Sequence, residues 1–382
     1  TPIIKENDDL ASIVVDSVIN ASESEGFNFK DKDIIAITEA VVGISEGNYA
    51  TVDNIVSDLN AKFPSKKIGI VYPILSRNRF SMILKAIARA MDKVTILLSF
   101  PSDEVGNGIM DENLLSASNF NLGSLISEED YEKYFGTFIH PFTGINMVDY
   151  YRDLVKSENC DVEFVFSNNP SDILKYTNNV LTCDIHSRFK TKKGLSEQGA
   201  FVLSLSDILN ESVGGSGFNP DYGLLGSNKS TDERLKLFPK DGASLVLKIK
   251  DEMFKRTGKN FEVMVYGDGA FKDPVGGIWE LADPVVSPFY TDGLKGTPNE
   301  IKLKYVSDNM FADLRGDELK DAIKEEIKKK DNDLKGQNVS LGTTPRRITD
   351  LVGSLCDLTS GSGDKGTPVV LVQGYFDNLA DE

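Results

Sequence analysis

The sequence is poor in the residues that build covalent or metal-linked frameworks. Its 382 residues include three cysteines and two histidines. Cys160, Cys183 and Cys356 are widely separated and form no CxxC pair, which argues against a disulfide framework or a structural zinc site. His140 and His186 are too few for a multi-histidine metal site. The composition favours a reducing compartment, and we expect the protein to be cytoplasmic.

Positive charge and long apolar runs are also scarce. Lys and Arg number 42 against 59 Asp and Glu, and the net charge of −17 repels polyanions. No apolar run approaches the roughly 20 residues of a membrane span, and the N-terminus lacks the features of a signal peptide. We expect neither nucleic acid nor membrane as a partner. Nucleotides stay possible, because a divalent cation and backbone N–H groups can supply positive potential.

Apolar residues are plentiful enough for a folded core. They make up 40% of the chain, and the length favours two domains or one domain with a large insertion. Strand, helix and strand patterns alternate from residue 68 onward, which predicts a mostly parallel sheet flanked by helices for about residues 68–210. The predicted strands are residues 68–72, 94–100, 162–166, 180–182 and 201–205, with a helix over 80–91.

Open parallel sheets bind ligands at the C-terminal ends of their strands. Arg77 and Arg79 follow the first of these strands and precede a helix, an arrangement that suits phosphate or carboxylate. Asn168 follows a later strand. Asp184 and His186 are spaced to lie on the same side of an extended segment, as an acid–base pair, a metal site or a structural pair. The glycine patterns of dinucleotide-binding and P-loop sites are missing.

Two further features lie nearer the C-terminus. A strand over residues 261–266 ends in Gly-Asp-Gly, and Asp268 in this position suits a metal ligand. A helix over residues 317–330 carries a charged, solvated face. Arg346 and Arg347 lie near the start of a helix predicted over residues 344–358, where they can bind an anion or pair with surface acids.

Several segments, in the same order along the chain, resemble the coenzyme F-420 gamma-glutamyl ligase superfamily. Each motif is short, and the shared order carries the resemblance. Residues 7–10 (Asn-Asp-Asp-Leu) resemble the family's GDDL motif, and residues 45–47 (Ser-Glu-Gly) resemble its SKAEGR motif. Residues 226–228 (Gly-Ser-Asn) resemble its DESN motif, and residues 368–374 resemble its PVVLVRG strand. Residues 256–259 (Arg-Thr-Gly-Lys), together with Asp268, resemble a run in the family that consists of RTG, a strand and SDT.

The resemblance implies an α+β fold in two parts. One is a gamma-glutamyl-ligase-like domain of mixed or antiparallel sheets with helices, formed by residues 1–67 and 216–382. The other is an inserted, mostly parallel α/β domain over residues 68–215. It also implies a homodimer and an amide-forming ligase that uses ATP or GTP with Mg²⁺ or Mn²⁺. The implied small-molecule substrates are glutamate and a phosphorylated acceptor.

The resemblance also selects site residues. Asp268 becomes the metal ligand, Glu46 and Asp273 become catalytic candidates, and Ser227 with Asn228 is expected to face the nucleotide. Each has an ordinary alternative as a capping, turn or solvated residue. With these residues, the expected site includes Arg77, Arg79, Asn168, His186, Arg346 and Arg347.

The chain departs from the family at charged positions. Ala40, Ile44 and Asn48 stand where the family has two lysines and an arginine, and Leu225 stands where it has an acidic metal ligand. A second hypothesis follows: a divergent homologue without ligase activity, acting as a ligand-binding protein or as a different enzyme centred on the insertion.

Overall fold

The computed structural model describes residues 1–271, 281–343, 346–361 and 363–381. Its strands are β1 Ile34–Thr38, β2 Tyr49–Thr51, β3 Lys67–Val71, β4 Lys93–Leu98, β5 Ile126–Ser127, β6 Asp161–Phe166, β7 Asn179–Thr182, β8 Phe201–Ser204, β9 Asn228–Thr231, β10 Arg234–Lys236, β11 Glu262–Tyr266, β12 Phe289–Tyr290 and β13 Val369–Val372. Its helices are α1 Leu10–Glu25, α2 Glu39–Ser45, α3 Val52–Lys62, α4 Phe80–Ala90, α5 Glu112–Ala117, α6 Glu128–Phe135, α7 Met147–Ser157, α8 Arg188–Ser196, α9 Gly242–Thr257, α10 Leu303–Tyr305, α11 Gly316–Lys329 and α12 Ile348–Thr359.

A four-stranded mixed sheet, in the order β12-β11-β1-β13, joins distant parts of the chain. β1 pairs parallel to β11 and antiparallel to β13. Successive side chains of a strand point to opposite faces. Ile35 and Ile37 accordingly pack with residues of α1 and α9, whereas Ile34 and Ala36 pack with residues of α12. The apolar run of β1 is therefore explained by burial on both faces.

A six-stranded sheet, in the order β5-β6-β4-β3-β7-β8, lies between residues 67 and 204. All its pairings are parallel except that of the short strand β5 with β6. Ile68 and Ile70 of β3 pack with residues of α3 and α4, while Val71 packs on the other face with Leu195 of α8. Burial on both faces is typical of a parallel sheet.

The strand order of this sheet reverses beside β3. The chain proceeds from β3 to β4 and β6 on one side, then returns to β7 and β8 on the other. Loops at the C-terminal ends of strands diverge at such a point, and ligands bind in the crevice between them. The loop at residues 72–79, which follows β3, therefore begins at the place where a ligand site is expected.

A small antiparallel sheet, in the order β2-β10-β9, lies between these two sheets in sequence. Strand β2 comes from the N-terminal part of the chain, and β9 and β10 follow the glycine-dense segment at 214–226. Asn48, beside β2, donates a hydrogen bond from Nδ2 to the carbonyl of Phe238 at 2.8 Å. These contacts bring residues 226–236 beside the first helices of the chain.

The mixture of helices with several sheets of different pairing confirms the predicted α+β class. The mostly parallel sheet between residues 67 and 204 also agrees with the strand pattern. The division into residues 1–67 and 216–382 against 68–215, and the origin of the latter as an insertion, stay predictions. The helix predicted over 344–358 begins at Ile348 among the described residues, and Thr344 with Pro345 lies outside them.

Candidate functional site

A cavity of about 830 Å³ opens at the C-terminal end of β3. The loop that follows β3 supplies one wall, and the segment that follows β11 supplies the opposite one. Residues of β9, α12 and the loops around 105 and 143 complete the lining. The polar and charged lining residues are Ser76, Arg77, Asn78, Arg79, Asn107, Thr143, Lys229, Asp268 and Asp357, and the apolar ones include Ile74, Val105, Met147 and Tyr150.

The loop before α4 is fixed by a buried tyrosine. The hydroxyl of Tyr151 donates to the carbonyl of Ile74 at 2.7 Å and accepts from the backbone N–H of Ser76 at 2.9 Å. Ser76 in turn accepts the backbone N–H of Arg79 at its Oγ, at 3.1 Å. These hydrogen bonds determine where the side chain of Arg79 leaves the backbone.

Arg79 bridges two carboxylates with different nitrogens. Its Nη1 lies 2.6 Å from Oδ1 of Asp283, and its Nη2 lies 2.7 Å from Oδ2 of Asp268. Asp283 is fully buried, whereas about a third of the Asp268 side chain is exposed toward the cavity. Arg79 thus joins the six-stranded sheet to the segments that follow β11.

Asp268 occupies an acidic environment built by backbone geometry. Its N–H donates to Oδ2 of Asp283 at 2.8 Å. Gly267 makes this approach possible, because a Cβ there would collide with Oδ2 of Asp283. Burial, followed by the negative charge of Asp283, raises the pKa of Asp268 to about 8. The site therefore favours a proton or another positive charge on this carboxylate.

A second buried ion pair lies next to the first. Glu39 follows β1, which is parallel to β11, so Glu39 and Asp268 leave the same edge of the sheet. The carboxylate of Glu39 accepts two hydrogen bonds from Nζ of Lys236, at 2.8 and 3.0 Å. Burial raises the pKa of Glu39. The positive charge of Lys236 opposes this shift, and the negative charge of Asp283 adds to it.

Negative charge exceeds positive charge in this cluster. Asp357, whose Oδ2 accepts the N–H of Gly269 at 2.9 Å, has its pKa raised by burial and then by Asp283. Glu39, Asp268, Asp283 and Asp357 thus give four carboxyl groups against two cations, Arg79 and Lys236. We call these six side chains the acidic cluster. This surplus of negative charge adds to burial in raising the pKa of Glu39, Asp268 and Asp357.

The described residues do not form a prepared metal site. Within residues 1–271, 281–343, 346–361 and 363–381, no three His, Cys, Asp or Glu side chains are arranged to hold an ion. Asp268 and Asp283 have suitable oxygen ligands for Mg²⁺ or Mn²⁺. Arg79, however, occupies the position between them with both terminal nitrogens. A metal at these carboxylates does not fit the arrangement in which they lie.

Some of the residues predicted from the sequence meet at the cavity. Arg77, which is exposed, lines it together with Arg79 and Asp268. Asn228 lies beside it, because its Oδ1 accepts from Nδ2 of Asn78 at 3.0 Å. Ser227 is buried close by, and its hydroxyl has no hydrogen-bond partner among the residues that the structure describes. These predicted residues come from separate parts of the chain.

Other predicted residues make local structural contacts instead. Glu46 accepts the backbone N–H groups of Lys240 and Asp241, both at 2.9 Å, as a turn-capping carboxylate does. Asn168 pairs with the backbone of Phe100 through both ends of its amide. Neither side chain lines the cavity. For Glu46 these contacts agree with the capping alternative considered above.

The predicted pairing of Asp184 with His186 differs from the structure. Asp184 is buried and accepts from Ser187 and Thr191, whereas His186 is exposed and its Nε2 lies 3.0 Å from the carbonyl of Leu281. The two side chains point to different environments because the chain leaves the extended conformation after β7. The expectation that they share one side of an extended segment is wrong.

The remaining predicted residues lie away from the cavity lining or outside the described residues. Arg346 is exposed, and Arg347 forms an ion pair with Asp350 at 3.1 Å near the start of α12. Asp273 lies outside the described residues.

Sequence reasoning missed most of the acidic cluster. Glu39 carries the same signal that selected Asp268, an acidic residue directly after a buried strand. Asp283 and Lys236 offered no such signal, since one lies in a loop and the other in a short strand. Only the fold reveals that they meet Arg79 and Glu39.

The fold and site together define a class of protein: an α+β protein with a polar ligand cavity between a parallel sheet and a mixed one. A comparison with protein families matches the F-420-0:gamma-glutamyl ligase family over residues 1–374. The chain belongs to this family. Comparison with individually curated proteins found no match. Among the described residues, no helix has both the length and the apolar composition to cross a bilayer.

Proposed function

We propose that the protein is a ligase that forms an amide bond of the gamma-glutamyl type at the expense of ATP or GTP. Family membership supports a ligase. The cavity beside the acidic cluster is the observation that supports the location of the substrate site. Arg77 and Lys229 supply positive charge there for phosphate or carboxylate groups, whereas the charge of Arg79 is engaged by Asp268 and Asp283. Glutamate and a phosphorylated acceptor are the proposed substrates.

The proposed chemistry is acyl activation followed by amide formation. The acceptor carboxylate attacks the terminal phosphorus of the nucleotide, which yields an acyl phosphate and a nucleoside diphosphate. The amine then attacks the acyl carbon, phosphate leaves, and the nitrogen loses a proton. The pKa of Asp268 is raised to about 8, so the fraction of this carboxyl group that is deprotonated near neutral pH can accept that proton. Positioning by the cavity supplies most of the rate.

The requirement for Mg²⁺ or Mn²⁺ comes from the family, and the role of metal ligand that the resemblance gives to Asp268 does not fit the ion pairs that this residue makes. When bound, the ion neutralises phosphate charge. Arg79 engages the carboxylates of Asp268 and Asp283. An ion at these two carboxylates therefore takes no part in the proposed steps. The three free, buried cysteines agree with the proposed cytoplasmic location. We also propose the family's homodimer, which light scattering of the purified protein tests.

Calorimetry of the full chain with ATP and with GTP, each with Mg²⁺ or Mn²⁺, tests the proposal. We expect one nucleotide to bind, and Arg77→Gln to weaken it about tenfold through loss of a charge-assisted hydrogen bond. Arg256→Gln is the matched control, since Arg256 pairs with Asp16 and does not line the cavity. Phosphate release that requires both glutamate and an acceptor completes the test. Absence of binding with either nucleotide contradicts the proposal.

A second candidate is a ligand-binding homologue without ligase activity. Leu225, at the family's acidic position, is buried in the apolar core, and Asn48 is buried in hydrogen bonds to backbone. Neither can contact a phosphate without rearrangement. Nucleotide binding without phosphate release, across a panel of carboxylate acceptors, favours this second candidate.

A further inference from the structure

The arrangement of Arg79 differs from that of an arginine waiting for an anionic ligand. Only 15% of its side chain is exposed, although it borders the cavity. Its two terminal nitrogens each contact a different carboxylate, at 2.6 and 2.7 Å. A guanidinium in this position is committed to acids of its own chain.

The two carboxylates are held in the way that a bridging cation would hold them. One oxygen of Asp283 and one of Asp268 converge on the guanidinium. The remaining oxygen of Asp283 accepts the N–H of Asp268 at 2.8 Å, which keeps the two residues together. Asp283 is fully buried, and removal of the positive charge would leave it without a counterion.

Arg79 is also placed rigidly. Its backbone is held by Ser76, and Ser76 is held by Tyr151, which is fully buried in the core of the six-stranded sheet. The acidic partners come from the other side of the cavity, where Gly267 lets Asp283 approach the backbone. Cation and acids are therefore presented by separate elements that meet only in the folded chain.

We propose that Arg79 is a tethered cation that takes the place of a divalent metal ion between Asp268 and Asp283. The protein free of ligand then holds these two carboxylates together without binding Mg²⁺ or Mn²⁺ at them. An ion that enters with a nucleotide is coordinated by the phosphates rather than by this pair. This inference deepens the proposed function and rests on it for the identity of the cavity as the ligand site.

The test is a titration of the protein with Mn²⁺ alone, without nucleotide. Binding is measured from the decrease in the electron paramagnetic resonance signal of free Mn²⁺. We expect Arg79→Gln to bind Mn²⁺ at least about tenfold more tightly than the wild type, because the buried carboxylates lose their counterion. Arg79→Gln combined with Asp268→Asn is expected to return the affinity to the wild-type level. Arg77→Gln, which removes a neighbouring cation of the same cavity, is the matched control and leaves Mn²⁺ binding within about twofold.

Two outcomes overturn the inference. One is tight Mn²⁺ binding by the wild type that Asp268→Asn abolishes, since the ion would then displace Arg79 by itself. The other is a folded Arg79→Gln variant with no gain in affinity. If that variant does not fold, Arg79→Lys is used instead. A single ammonium group contacts two carboxylates incompletely, so the affinity for Mn²⁺ is expected to rise. An unchanged affinity contradicts the proposal. None of these measurements depends on ligation. Failure of the ligase proposal is detected by a different measurement, the release of phosphate.

Discussion

The two sides of the cavity contribute opposite charges from differently built sheets. The six-stranded parallel sheet, buried on both faces, supplies Arg77 and Arg79 from the loop after β3. The four-stranded mixed sheet supplies Asp268 after β11, while Glu39 after β1 belongs to the acidic cluster and does not line the cavity. Each side alone would leave partly buried charges without partners. The site therefore depends on both parts of the chain being folded together.

The buried ion pairs differ from the surface pairs in what they contribute. Exposed pairs contribute little because water and salt screen them, whereas loss of one partner from a buried pair leaves an uncompensated charge. The protein contains both kinds, such as Arg79 with Asp283 and Lys30 with Asp377. Three predictions test how far the two regions depend on each other.

The largest effect is expected for Asp283→Ala. This change removes a fully buried carboxylate that contacts Arg79 and the backbone of Asp268. We expect the free energy of unfolding to fall by about 3–5 kcal/mol, as measured by urea denaturation. Asp377→Ala, which breaks an exposed pair, is the control and is expected to cost less than about 1 kcal/mol. Equal losses for the two changes would mean that the ion pair of Arg79 with Asp283 contributes no more to the free energy of unfolding than an exposed pair does.

A smaller effect is expected from the second buried pair. Lys236→Met leaves Glu39 without its counterion and is expected to cost about 3 kcal/mol in urea denaturation. The double change Lys236→Met with Glu39→Gln removes both charges and is expected to recover part of that loss. A double variant that loses as much as the sum of the single changes would show that the pair is not coupled.

The third prediction concerns pH and is measured as a change in slope rather than as a single loss of stability. Because the pKa of Asp268 is raised from 3.8 to about 8, the folded protein holds a proton there that the unfolded chain has released. The contribution of this group to stability is therefore complete below about pH 4 and declines as the pH rises toward about 8. Asp268→Asn removes this decline, while Glu39 and Asp357 titrate in both proteins. Urea denaturation across this range checks it, and parallel pH profiles for the two proteins would contradict the prediction.

The sequence predicted the elements around the site well, for identifiable reasons. Strands such as β3 and β11 have continuous apolar runs, and β11 ends at Tyr266, directly before Gly267, so their bounds could be inferred locally. The rule that ligands lie at strand ends selected Arg77, Arg79 and Asp268, which line one cavity. Periodicity predicted the helix over 317–330, and α11 spans Gly316–Lys329.

The partners of those residues were not predictable. Glu46 and Asn168 have the residue types of a polar site, yet each hydrogen-bonds to nearby backbone. Conversely, Asp283 and Lys236 lie in segments without a local signal, and they reach the site only because distant strands pair. Burial decides the role of a polar side chain, and burial is a property of the assembled sheets.

The sequence by itself determined the α+β class, the strand ends that carry charge and the family to which the chain belongs. Local apolar periodicity and ordered motifs encode these features. Only the tertiary structure decided that Arg79 neutralises Asp268 and Asp283, and that Glu39 and Lys236 form a buried pair beside them. The physical reason is that electrostatic partners are selected by distance and burial. Residues about 190 positions apart in the chain, such as Arg79 and Asp268, come within hydrogen-bonding distance only when both sheets are complete.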